Sequence, residues 1–193
     1  MMLPLLIGTA SFVPMAAADY FYLRKRPGTG RALFAAGCGL LCASTLWLVW
    51  KSRPMPSPVP LVPAFVCLVL LVYTVFFAVK PSREALAACP EGMQPLVCRG
   101  VYALCRHPGV LWLGGVYGFL ALAWPSRQWL LAFFLFTAGD MFYVLYQDRW
   151  IFPHTIHRYG EYQKETPFLI PTVSSINKAL ASFSGSSESC GKR

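Results

Sequence analysis

The chain has 193 residues, of which 56% are hydrophobic and only 13% charged, with a net charge of +9. A soluble domain carries about 25% charged residues, so this composition excludes an ordinary soluble globule and points to a membrane protein. The basic surplus reads first as membrane topology, and the absence of a basic stripe or aromatic-interleaved module argues against a nucleic-acid partner.

Five apolar runs follow in chain order. Residues 1–18 are uncharged and end on Ala16-Ala17-Ala18. They lack the positive start of a signal peptide, so a retained span is expected. Residues 32–50 form a second run. The third covers 54–79, and its first part is broken by Pro54, Pro56, Pro58, Pro60 and Pro63, which predicts a helix only from about Leu61. The fourth covers 107–126. It contains Gly114-Gly115-Val116-Tyr117-Gly118, whose small residues four apart allow close helix contact. The fifth covers 128–147 and is interrupted only by Asp140. Each run is near the ~20 residues that cross ~30 Å of hydrocarbon.

Charge orients these spans. With the N-terminus outside, the inner loops hold Arg24, Lys25, Arg26, Arg31, Lys80, Arg83, Arg99 and Arg106. The inner tail adds Arg149, Arg158, Lys164, Lys178, Lys192 and Arg193, while Lys51, Arg53 and Arg127 fall outside. This is a strong positive-inside bias. The expected fold class is therefore all-α, a polytopic helical membrane protein with about five spans and a cofactor pocket at its cytosolic face. A single integral membrane domain is expected over 1–171, with the chemistry in 94–171. The Ser-rich segment 172–193 is expected to be disordered.

The seven cysteines are odd in number and contain no Cys-x-x-Cys pair. They are expected to be reduced, with neither a disulfide framework nor a zinc site. His154 and His157 are three apart, but no third ligand of convincing spacing joins them, so no metal is expected.

Polar chemistry concentrates in two blocks. Before the fourth run stand Gln94, Tyr102, Arg106 and His107, on a segment from Pro95 that reads as a short helix lying on the membrane surface. Arg106-His107-Pro108 places a cation, an imidazole and a helix-starting Pro at a bilayer boundary. After the fifth run stand Asp148, Arg149, His154, His157, Arg158, Tyr159, Glu161 and Tyr162, followed by the apolar patch Pro167-Phe168-Leu169-Ile170-Pro171.

Leu96-Val97, Gly100-Val101-Tyr102, Arg106-His107-Pro108, Asp148, Tyr159-Gly160-Glu161-Tyr162 and the closing Pro167 to Pro171 follow a familiar order. In this the chain resembles the membrane methyltransferases of the isoprenylcysteine carboxyl methyltransferase and phospholipid methyltransferase group. The resemblance covers roughly residues 94–171. It implies S-adenosylmethionine as cofactor, held between the last two spans and closed by the C-terminal segment. The cofactor-contacting positions fall on Gln94, Pro95, Leu96, Val97, Tyr102, His107, Pro108, Gly109, Val110 and Asp148. Arg106 and Asp148 are the residues assigned to the reaction, and Asp140 and Arg149 to the acceptor, a lipophilic small molecule or membrane lipid. Val110 stands where the family usually has Tyr, and Asp148 where Glu is usual. Val144 replaces the Arg that prenylcysteine enzymes use for substrate, which argues against that substrate.

The cofactor's chemistry suits these side chains. Arg106 or His107 can pair its carboxylate, Asp148 can accept from its ammonium or ribose, and Tyr102 with Leu96 and Val97 can cover its adenine. Two rival readings remain: an NADPH-dependent sterol or isoprenoid reductase sharing the His-Pro corner, and a non-catalytic membrane scaffold.

Overall fold

The computed structural model describes residues 2–52, 55–79, 81, 86–87 and 89–183. Arg53, Lys80, Arg83, Lys192 and Arg193 of the charge pattern, Pro54 of the third run and Cys190 lie outside the described residues.

Every extended element of regular structure among the described residues is helical. In chain order they are α1 (Leu3–Ala10), α2 (Phe12–Leu23), α3 (Pro27–Lys51), α4 (Pro58–Val72), α5 (Val101–Leu104), α6 (Pro108–Ala123), α7 (Arg127–Tyr146), α8 (Phe152–Thr155), α9 (Tyr159–Glu165) and α10 (Val173–Phe183). Wider π-helical turns close α4, at Tyr73–Phe77, and α7, at Gln147–Ile151. Four stretches are long and apolar enough to cross a membrane: Leu3–Leu23, Pro27–Lys51, Pro58–Phe77 and Arg127–Thr155. The expected fourth span is a shorter apolar helix, Pro108–Ala123. Its 16 residues extend only about 24 Å at 1.5 Å per residue.

Prolines set several boundaries. Pro14 cannot donate to the Ala10 carbonyl, and the break between α1 and α2 falls there. In α4 the helix begins at Pro58, three residues before the expected Leu61. Pro58 and Pro60 occupy the first turn, where backbone N–H groups have no intrahelical acceptor, so both are tolerated. Pro63, inside the helix, costs one bond. The end of α2 is a Schellman closure: Arg26 N–H donates to the Phe21 carbonyl at 2.9 Å and Lys25 N–H to that of Tyr22 at 3.0 Å.

The chain divides into two compact units, one of Met1–Leu68 with Trp112–Ile151 and one of Val69–Leu111 with Phe152–Arg193. In the first, α1, α2, α3 and α7 pack through small residues. A Cβ on Gly8 would collide with the Phe136 ring, which is fully buried. Beside it the Ser44 hydroxyl donates to the Pro4 carbonyl at 2.6 Å. Such contacts suit a bilayer, where close backbone approach replaces the hydrophobic drive between helices. Leu46, Trp50, Val62, Phe65, Phe134 and Phe142 are exposed, as lipid-facing side chains should be. At one end the Trp129 indole donates to Ser52 at 2.7 Å and stacks on Trp124. Towards the other end, Gln147 donates to Asp19 at 2.9 Å and to the Tyr143 hydroxyl at 2.8 Å.

The second unit departs from expectation twice. The segment from Pro95 is not a surface helix; only α5 is helical. Gln94 forms a parallel bridge with Ile156, and Gly100 turns at φ 61°, ψ −128°, a conformation reserved for glycine. Between them 95–98 carry no regular structure. The expected disordered tail contains α10, whose start is locked reciprocally: Thr172 N–H donates to Ser175 Oγ at 2.9 Å and Ser175 N–H to Thr172 Oγ1 at 3.2 Å. That is a capping box with Ser in the returning position. Residues 184–193 lie outside the described residues. Cys98 is disulfide-bonded, against the expectation of uniformly reduced thiols, whereas Cys38, Cys42, Cys67, Cys89 and Cys105 are free.

Candidate functional site

The second unit builds a corner from three chain segments. Backbone pairing sets it. Arg106 N–H donates to the Pro167 carbonyl at 2.9 Å and His107 N–H to the Phe168 carbonyl at 3.2 Å. The strap 167–171 is thereby laid along the residues that precede α6. On another side Gln94 N–H donates to the Thr155 carbonyl at 2.7 Å, and His157 N–H returns to the Gln94 carbonyl at 2.9 Å. These are long-range backbone hydrogen bonds, made outside any sheet, that hold the three segments together.

Aromatic rings fill the corner. The His107 ring is buried, stacked on Phe152 with centroids 5.9 Å apart and tilted against Phe168 at 4.9 Å. Phe152 meets Tyr159 edge-on at 5.4 Å, and Tyr159 meets Tyr162 at 5.8 Å. The Arg106 guanidinium lies 5.3 Å from the Phe168 centroid, within cation–π range. Tyr162 donates to the Tyr102 carbonyl at 2.6 Å, and the Tyr102 hydroxyl donates to the Thr74 carbonyl at 3.2 Å.

Burial sets the protonation of these groups. It pushes the Tyr102 phenol up to about 12 and the Cys105 thiol up to about 11, the latter despite a hydrogen bond from the His107 backbone. Tyr162 is raised well above the ordinary phenol range, first by burial and then by neighbouring Tyr159 and Cys105. All three are neutral at physiological pH. They supply shape, dipoles and ring faces, not a base.

The remaining sequence-selected residues distribute as follows. In the second unit Pro95, Leu96 and Val97 are half-buried in the irregular segment, Gln94 is exposed, Pro108 and Val110 are buried and Gly109 is half-buried. A Cβ on Gly109 would meet only Leu71, at 3.9 Å, so nothing there demands glycine. Asp148, Arg149 and Asp140 belong to the first unit. Asp148 is buried in the π-helical turn that closes α7, a geometry often found at functional positions. Arg149 is exposed and Asp140 half-buried one turn before Tyr143.

Two corner residues escaped the sequence reading. Phe152 looked like any other aromatic beyond a span. Thr74 is buried in an apolar run, and its hydroxyl has no hydrogen-bond partner among the described residues. A helical Thr normally donates to the carbonyl four residues back; the π-helical turn at Tyr73–Phe77 disturbs that register. No signal in the sequence marks such a turn.

Such a donor set can pair a carboxylate through its guanidinium and receive an aromatic ring or a cation on its ring faces. No protein-family model, curated protein or solved structure matches this chain. Among the described residues no group of three or more His, Cys, Asp or Glu is placed to hold a metal ion.

Proposed function

We propose that this protein transfers a methyl group from S-adenosylmethionine to a lipophilic acceptor within the membrane. The observation that carries the reading is the strap: the Pro167 and Phe168 carbonyls take the Arg106 and His107 amides, and the Phe168 ring covers both side chains. That arrangement gathers a cation and ring faces in one largely water-excluding corner. The cofactor supplies an electrophilic methyl carbon. Arg106 orients its carboxylate end, while His107 and Tyr102 wall the corner, Tyr102 through its ring because its hydroxyl is committed to Thr74. Orientation of two reactants can lower a barrier by ~7–11 kcal/mol, so a corner of this kind needs no dedicated base. Asp148 is the proposed acid for the ammonium or ribose, and Asp140 and Arg149 are proposed for the acceptor. The positive-inside bias supports an outside N-terminus and a cytosolic C-terminus.

Calorimetric titration of the purified protein with S-adenosylmethionine, its demethylated product and NADPH tests the reading. The first two bind and NADPH does not. Asp148→Ala weakens binding, since losing a charge-assisted partner costs ~1.5–3 kcal/mol, roughly tenfold or more, and His107→Ala weakens it by removing a wall of the corner. Binding of NADPH alone overturns the proposal in favour of a reductase. Failure of all three ligands to bind a folded protein leaves a scaffold.

A further inference from the structure

Helix α10 is amphipathic in the wrong sense for a helix that merely packs on its own protein. Ser175 and Ala179 are buried at 3% and 6% exposure, and Ser182 is half-buried. The large apolar residues are left out: Val173 is 77% exposed, Leu180 63% and Ile176 41%. At 3.6 residues per turn these three fall within about 60° of one another. Ile170, just before the helix, is also exposed. Asn177, Ser174 and Lys178, all exposed, occupy a separate arc on the other side. The helix thus has three faces: small residues on the protein, large apolar residues on one flank, polar residues on the other.

Its rotation is pinned. Gly100 N–H donates to Ser182 Oγ at 2.8 Å, and Lys178 lies 3.7 Å from Glu165. Turning the apolar stripe inward would break both contacts. The stripe is therefore held outward, and water is a poor neighbour for it. The same unit carries the exposed apolar end of α4, with Val72, Phe76 and Phe77, inside a stretch long enough to cross a membrane. A second apolar phase is already part of this protein's surroundings.

We infer that α10 is an interfacial helix, seated on the protein by Ser175, Ala179 and Ser182, with Ile170, Val173, Ile176 and Leu180 inserted among the lipids of the membrane the protein spans. An apolar stripe beside a polar arc is the pattern of helices that lie in the headgroup–acyl boundary. The consequence reaches the corner, because the strap 167–171 leads directly into α10. Lipid contact on α10 anchors the far end of the segment that covers His107. This inference does not depend on the transferase reading.

The test uses the full chain in phosphatidylcholine nanodiscs containing a fraction of diazirine-tailed phosphatidylcholine, with adducts mapped by peptide mass spectrometry after illumination. Adducts are expected on Val173, Ile176 and Leu180 and absent from Ser175 and Ala179. Val62 and Phe65 in α4 report correct insertion in the same sample. The I176K/L180K double variant, which leaves the seating face intact, loses the α10 adducts and keeps those on α4. An unlabelled stripe beside labelled α4 overturns the inference, as does a stripe that cross-links to a second copy in place of lipid.

Discussion

At the scale of single residues, Tyr102 and Cys105 tie the corner to pH. Both are held neutral by burial, with ionisation moved up to about 12 and about 11. A group whose folded pKa is raised contributes stability that is complete below its unfolded value and lost as pH climbs to the folded value. The window is therefore about pH 9–11 for Cys105 and pH 10–12 for Tyr102. The contribution of Tyr102 is at most about 2 kcal/mol after allowing for its partial exposure. Denaturation midpoints should fall across this range, and Tyr102→Phe should flatten the part above pH 10. Superimposable profiles for the two proteins would remove Tyr102 from the account. Asp140 poses a different question. Asp19 accepts from Gln147, whereas Asp140 lies half-buried in α7, one turn before Tyr143. If Asp140 serves the acceptor, as proposed, the near-isosteric Asp140→Asn should slow turnover or change acceptor preference while cofactor affinity stays within about twofold. A loss of thermal stability alone would make it a structural residue.

At the scale of elements, the glycines of α6 separate pattern from packing. The spacing of Gly114 and Gly118 singles them out as the close-contact pair. In the structure a Cβ on either would meet α7 at ordinary distances, 3.4 Å to Thr137 and 3.5 Å to Phe133. The glycine that admits no Cβ is Gly115, where Cys67 Sγ of α4 would lie 2.6 Å away. Gly115→Ala should therefore lower the melting temperature, Gly114→Ala and Gly118→Ala should not, and Cys67→Ala should rescue Gly115→Ala. Equal effects at all three positions would restore the simple four-residue motif. The case shows what was legible. Hydropathy located the apolar helices because burial in lipid acts on each segment alone. It did not identify which glycine faces which neighbour, because that depends on the azimuth of two helices distant in sequence. The corner divides in the same way. Arg106 and His107 were visible as polar groups at a span edge, but the strap over them rests on backbone hydrogen bonds across some sixty residues. Helix α10 was hidden by its serines, although Val173, Ile176 and Leu180 already stood at helical spacing.

At the scale of the whole molecule, the short α6 decides the topology. Four long stretches qualify as spans; counting α6 as a fifth crossing makes the number odd and would put the termini on opposite sides. Length alone counts against α6, about 24 Å against ~30 Å of hydrocarbon. Its connection counts for it. Only Trp124, Pro125 and Ser126 separate α6 from α7, and Ser126 caps α7 by accepting from Trp129 N–H at 3.4 Å. The approaches of Gly114 to Thr137 and of Gly118 to Phe133 show α6 lying antiparallel along a helix of 20 residues. A helix folded back along a crossing partner traverses the same depth, and bilayers thin locally around short spans at a cost of fractions of a kcal/mol per Å. If α6 crosses, the five proposed spans with the basic loops inside put residues 28, 90 and 175 on the inner face and 55 and 127 on the outer face. Reporter fusions at these positions check the assignment one loop at a time. An inner-face signal after Arg127 would show that α6 enters without crossing, and would place α7 and everything after it in the opposite orientation.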